Sequence, residues 1–155
     1  MCEHCGCREI EPIARLMDEH LEMRELSGQI RRSLLAGDRA TAEGALALLG
    51  ARLVPHARRE ERGLFTALEE QGDFADEVRR LEADHRAFDE ILDELDATAP
   101  DFEQRVTALL ADLSLHIDRE DLGIFPVSVV TLGAEGWETV ERAHAEKDET
   151  PTPAH

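Results

Sequence analysis

Two short segments of the chain repeat each other and carry its strongest chemistry. His56-Ala-Arg-Arg-Glu60-Glu61-Arg-Gly-Leu64-Phe65 is matched by His116-Ile-Asp-Arg-Glu120-Asp121-Leu-Gly-Ile124-Phe125. An imidazole and a carboxylate four positions apart leave a helix from one face, one turn apart. That pairing suits a divalent cation, because imidazole and carboxylate are common ligands of iron, zinc and manganese. Two such pairs on two helices can hold two metals with the carboxylates bridging. A single histidine precedes each motif, His20 before the first and His85 before the second, and these complete the set. The repeat reads as a helix hairpin used twice, with its two halves facing each other.

The elements that would position these residues follow from apolar spacing. Four long helices are expected: from about Ile10 to Leu35, Ala40 to Gln71, Phe74 to Ala97, and Asp101 to Leu132. Gly37-Asp38, Gly72-Asp73 and Pro100 separate them, and Asp101 is placed to cap the fourth. Pro126 should kink the last turns of that helix, since it removes a backbone donor. A short amphipathic helix around Trp137 to His144 follows Gly133 and Gly136, with Trp137 as its docking contact. Connections this short make successive helices antiparallel neighbours. The expected fold is therefore all-α, an antiparallel up-down four-helix bundle with a short fifth helix. The expected domains are a Cys/His-rich leader over residues 1–9, the bundle over 10–147 and a disordered tail over 148–155.

Each long helix has a three-four apolar stripe, the buried seam of a packed helix. The stripes run through Leu16, His20 and Met23; Leu53, His56, Glu60 and Leu64; Leu81, His85 and Phe88; Leu113, His116 and Glu120. A lone histidine on such a stripe is more often a satisfied core residue than a ligand. One on each of four stripes is a different observation. His4, His144 and His155 fall off the seams and read as surface or tail. A buried carboxylate stripped of its partner costs roughly 3–5 kcal/mol. No Lys or Arg occupies a seam position to pair with Glu60 or Glu120, and a coordinated cation removes that cost.

Composition narrows the function classes. The chain has 155 residues and a formal net charge of −18, with 4% aromatics and no Tyr. Its Leu, Ala, Glu and Arg favour helix. The acidic surface repels phosphate backbones, so nucleic acid is not an expected partner. No apolar run reaches membrane-spanning length and no signal-peptide pattern opens the sequence, so a cytoplasmic location is expected. No phosphate-binding glycine loop, Ser/His/Asp pattern or bundle cysteine is present.

The pattern His20…His56-x-x-x-Glu60…His85…His116-x-x-x-Glu120 resembles the hemerythrin-like, or HHE cation-binding, family. The likeness covers roughly residues 10 to 132. It implies a four-helix bundle holding two iron ions, oxo- or hydroxo-bridged, with chemistry toward O2, peroxide or nitric oxide. The implied ligand set is His20, His56, Glu60, His85, His116 and Glu120. The oxygen-carrying members place a second histidine one turn before His85, where this chain has Leu81. Glu82, Asp89, Glu61 or water could take that place. Those members also take the last carboxylate five residues after the histidine, which is Asp121. The seam puts Glu120 inward and Asp121 about 100° away around the helix, so Glu120 is favoured and Asp121 is second.

Fewer histidines and more acid should stabilise ferric iron, which favours reaction with or sensing of peroxide over reversible oxygen carriage. Catalase-like peroxide decomposition, iron handling or iron–sulfur repair, and O2 binding without turnover stay open. Cluster-repair relatives carry a different N-terminal cysteine domain. The leader Cys2-Glu3-His4-Cys5-Gly6-Cys7 resembles one found on a bacterial subset of the family. Cys2, His4, Cys5 and Cys7 offer zinc a Cys3His set, a redox switch or simply a mobile thiol-rich tail. Oligomeric state is not legible.

Overall fold

The computed structural model describes residues 9–146. Cys2, His4, Cys5 and Cys7, the tail from 148 and His155 lie outside those residues. Helix α1 spans Glu11–Leu35, opened by Pro12 in the first turn, where no intrahelical N–H is needed. It closes on Gly37 at φ 73°, with Asp38 N–H donating to Ser33 O at 2.8 Å. Asp38 then caps α2 (Arg39–Glu60) by accepting from Thr41 N–H at 3.1 Å. A π-helical turn over Glu61–Phe65 carries α2 into α3 (Thr66–Gln71). Gly72, at φ 81°, ends that rod.

Helix α4 is Ala75–Glu94, shorter at both ends than its apolar pattern suggests. Phe74 sits before it in the left-handed region, at φ 58°. Beyond Leu95 the chain leaves helix, and Asp96 turns it by accepting from Thr98 N–H. Helix α5 (Phe102–Arg119) passes through a second π turn, Glu120–Ile124, into α6 (Phe125–Thr131). Asp101 makes no capping bond, contrary to its sequence signal. Helix α7 (Ala134–Ala145) returns across the bundle, with Trp137 half-buried against the core.

The two π turns are the main departure from the sequence reading, which ran each rod as one continuous helix. The first begins at Glu61, directly after Glu60, and the second begins at Glu120 itself. A π turn inserts a residue into the helical register and is found frequently at functional sites. Side chains support the loosened backbone: Thr66 Oγ1 donates to Glu61 O at 2.6 Å, and Ser128 Oγ to Ile124 O at 2.6 Å. Pro126 follows the second π turn in the first turn of α6, where its missing N–H is tolerated.

The described residues are all helix and turn, as the all-α reading expected. Their core is split into two apolar clusters. One holds Met23, Leu53, Phe88 and Leu113; the other holds Leu16, Leu64, Leu81 and Ile124. Along every rod the stripe changes cluster where the histidine falls. A polar layer therefore crosses the bundle between two dry ends. Among the described residues no helix is long and apolar enough to cross a membrane.

Candidate metal centre

The polar layer consists of His20, His56, Glu60, His85, His116 and Glu120, all buried, with both glutamates at 0% exposure. The ligand atoms fall into two groups, His20-His56-Glu60-Glu120 and Glu60-His85-His116-Glu120, each within 4.8 Å across. Both glutamates belong to both groups. His20 Nε2 is 3.1 Å from His56 Nε2, and His85 Nε2 is 3.2 Å from His116 Nε2. Glu120 Oε1 lies 3.1 Å from Nε2 of both His20 and His116. Glu60 Oε1 lies 2.9 Å from His56 Nε2 and 3.5 Å from His85 Nε2.

The outer nitrogen of each imidazole meets a carboxylate. His20 Nδ1 is 2.8 Å from Asp121 and His56 Nδ1 is 3.2 Å from Glu19. His85 Nδ1 is 3.0 Å from Glu61 and His116 Nδ1 is 2.9 Å from Asp84. An ionised carboxylate only accepts, so Nδ1–H is the donor and, in the neutral ring, Nε2 turns a lone pair inward. The interior is thus a set of acceptors facing one another. None of the four oxygens of Glu60 and Glu120 accepts an aligned hydrogen bond. Such a cluster is costly unless a cation sits in it, and carboxylate-supported imidazoles are the usual second sphere of a metal site. The residues fit a pair of metal ions.

A model of the hemerythrin HHE cation binding domain matches residues 11–128. The chain belongs to this family. No curated protein and no solved structure matches it. The family's cation binding and this domain's His/Glu cluster agree: the hemerythrin HHE domain described here is built to bind metal.

The structure places the sequence candidates unequally. The six inward residues are brought together. Asp121 is not among them; it stands behind His20 as that ring's acceptor. Glu61, a candidate for the gap at Leu81, stands behind His85 in the same way. Glu82 is half-exposed among Glu69 and Glu61, whose charges add to burial in raising its pKa, and Asp89 is exposed. Leu81 has a counterpart in Leu16, one turn before His20, and both are fully buried in the apolar cluster. The gap on the third rod is therefore matched by one on the first, and the two donor sets are alike. Phe125 stacks on His20 at 5.5 Å and Phe65 on His85 at 5.9 Å, extending the repeat.

Three features escaped sequence reasoning. Glu19 and Asp84 were missed as imidazole acceptors, although each directly precedes a histidine of the polar layer. Arg59 is buried, against the expectation of no inward cation, but it pairs with Glu19 rather than with Glu60. His144, expected at the surface, is half-buried with neither ring nitrogen hydrogen-bonded. Its burial, with the charges of Arg15 and Arg59, lowers its pKa to about 4.

Protons are the cation's competitors in this layer. Burial opposes charging His20, but the bond to Asp121, the close approach of Glu120 and the charge of Glu60 outweigh it and raise its pKa from 6.5 to about 10. His85 is raised likewise to about 10, against burial, by Glu60 and Glu61. His56 and His116 move up against burial through the charges of Glu60 and Glu120 respectively. Glu60 is held well below 4.5 despite burial, chiefly by His56.

Proposed function

We propose that the chain is a non-haem di-iron protein that reacts with or senses peroxide, O2 or nitric oxide, with peroxide decomposition among the reactions open to it. The observation that carries this reading is the donor set. Each position offers two imidazoles and the two shared carboxylates, and leucine stands one turn before His20 and before His85. A nitrogen-poor, anionic set favours ferric iron over ferrous. Bound iron would supply two electrons to reduce one peroxide to water and take two back from a second peroxide, which leaves as O2. The protein's own part is to keep all four Nε2 atoms inward by anchoring every Nδ1–H on a carboxylate. The apolar clusters on either side exclude bulk water, and Phe65 and Phe125 cover two of the rings.

Metal analysis of protein purified from its own host, followed by addition of peroxide to the oxidised form, tests the proposal. Two irons per chain and evolution of gas are expected. One metal per chain, or zinc alone, would overturn the di-iron reading. Reversible O2 binding by the reduced protein, with no turnover of peroxide, would make it an oxygen binder instead.

A further inference from the structure

The inner layer is a near-copy of itself, but its covering is not. The repeat pairs Glu19 with Asp84, Arg59 with Arg119, and Gly63 with Gly123. Glu19 holds His56 and Asp84 holds His116, and these two carboxylates are similarly shielded, at 21% and 26% exposure. The arginines behind them differ sharply. Arg59 pairs with Glu19 at 5% exposure, whereas Arg119 lies 3.4 Å from Asp84 at 43% exposure.

Helix α7 makes the difference. It packs on the π turn after Glu60, where a Cβ on Gly63 would stand 3.1 Å from Ala143 Cβ and 3.3 Å from Val140 Cα. A side chain there would be tighter than ordinary van der Waals contact, so α7 would have to give by a few tenths of an ångström. Gly123, at the same place in the other π turn, has nothing within 4 Å of a built Cβ. Arg15 ties α7 down by donating to His144 O at 3.0 Å, and Arg62 by pairing with Glu146 at 2.9 Å. The repeat mate of Arg62 is Leu122, which is exposed.

We propose that α7 makes the two metal positions unequal, so that the ion between His20 and His56 is retained while the ion between His85 and His116 exchanges with solution. The proposal rests on the reading of this layer as a two-metal site. Release of an ion requires a histidine to swing out, which begins with loosening its Nδ1–H from the carboxylate. At His56 the carboxylate is clamped by a buried guanidinium beneath a packed helix. At His116 the equivalent guanidinium is half-exposed and reaches Asp84 only at 3.4 Å. Arg59 is in these terms a positioning residue for His56, acting through Glu19. Substituting such outer groups changes metal affinity by roughly 10–100-fold, so release rates should separate on that scale.

The test uses the full chain with the thiols of Cys2, Cys5 and Cys7 alkylated, so that zinc reports on the bundle alone. The zinc-loaded protein is mixed with excess EDTA and metal loss is followed with time. Two phases of equal amplitude, about tenfold or more apart in rate, are expected. Gly63→Ala should speed the slow phase about tenfold, and Gly123→Ala should leave both phases within about twofold of the parent. Arg59→Gln should act as Gly63→Ala does without touching the α7 contact, and Arg59→Lys should recover part of the retardation. In the zinc-loaded parent the His56 Nδ1–H proton resonance should persist against exchange with water, and it should broaden in Arg59→Gln while the bundle stays folded. A single phase from protein holding two zincs, or equal effects of Gly63→Ala and Gly123→Ala, would overturn the inference. Less than two zincs per chain would instead overturn the two-metal reading beneath it.

Discussion

Glu120→Gln is expected to empty both metal positions, while Asp121→Asn leaves both filled with weakened affinity. The two residues are neighbours in the chain, but Glu120 Oε1 lies 3.1 Å from a histidine of each donor set and Asp121 touches only the outer nitrogen of His20. Removing the Glu120 charge therefore subtracts a ligand from both positions at once, and the new amide turns a donor where a cation would sit. Loss of a first ligand from each set should weaken binding well over 100-fold, beyond the roughly 10–100-fold that attends loss of an outer partner. Zinc titration of the alkylated chain reads both. In the metal-free protein the same carboxylate lies against the rings of His20 and His116 and supports their positive charge. Its neutral isostere should therefore also lower the metal-free melting temperature, and by more than Asp121→Asn, which touches one ring from a partly exposed position. Two tightly held zincs in Glu120→Gln, or their loss in Asp121→Asn, would reverse the assignment of the two acids.

The difference between these neighbours shows where sequence reasoning ran out. The three-four seams put His20, His56, His85 and His116 on buried faces because apolar burial is read directly from spacing, and Glu60 and Glu120 follow four positions after a histidine. The outer acids obey no such rule. Glu19, Glu61, Asp84 and Asp121 each adjoin an inner residue in sequence, but adjacent helical side chains diverge by about 100°. Each therefore serves a histidine of another rod: Glu61 serves His85 and Asp121 serves His20. Only packing decides that. The π turns were hidden for a related reason. Their loosened register is held by hydroxyls four or five residues on, Thr66 and Ser128, and apolar spacing does not report such a bond. Arg59 is buried and its charge reaches His144 on α7, whose docking place no local pattern encodes.

Metal removal should invert the protein's response to pH. In the metal-free fold His20 and His85 are raised from 6.5 to about 10. A group whose pKa is higher folded than unfolded stabilises the fold fully below the unfolded value, and that contribution is lost as pH rises through the folded one. The metal-free bundle should thus be steadier near pH 6 than at pH 9, losing at least about 2 kcal/mol across that span. Glu60 bounds the other side: its lowered pKa gives a contribution present above 4.5 that disappears as acid protonates it. With metal the trend reverses, because Nε2 must be free of its proton to bind and affinity rises with pH over the same window. The gap between loaded and stripped melting temperatures should be small near pH 6 and wide near pH 9, and zinc added at neutral pH should displace protons into solution. Thermal melts of both forms at the two pH values, with a pH-stat recording during zinc addition, measure this. Equal melting of the two forms at every pH would mean that the layer of histidines and glutamates is not where metal and folding meet.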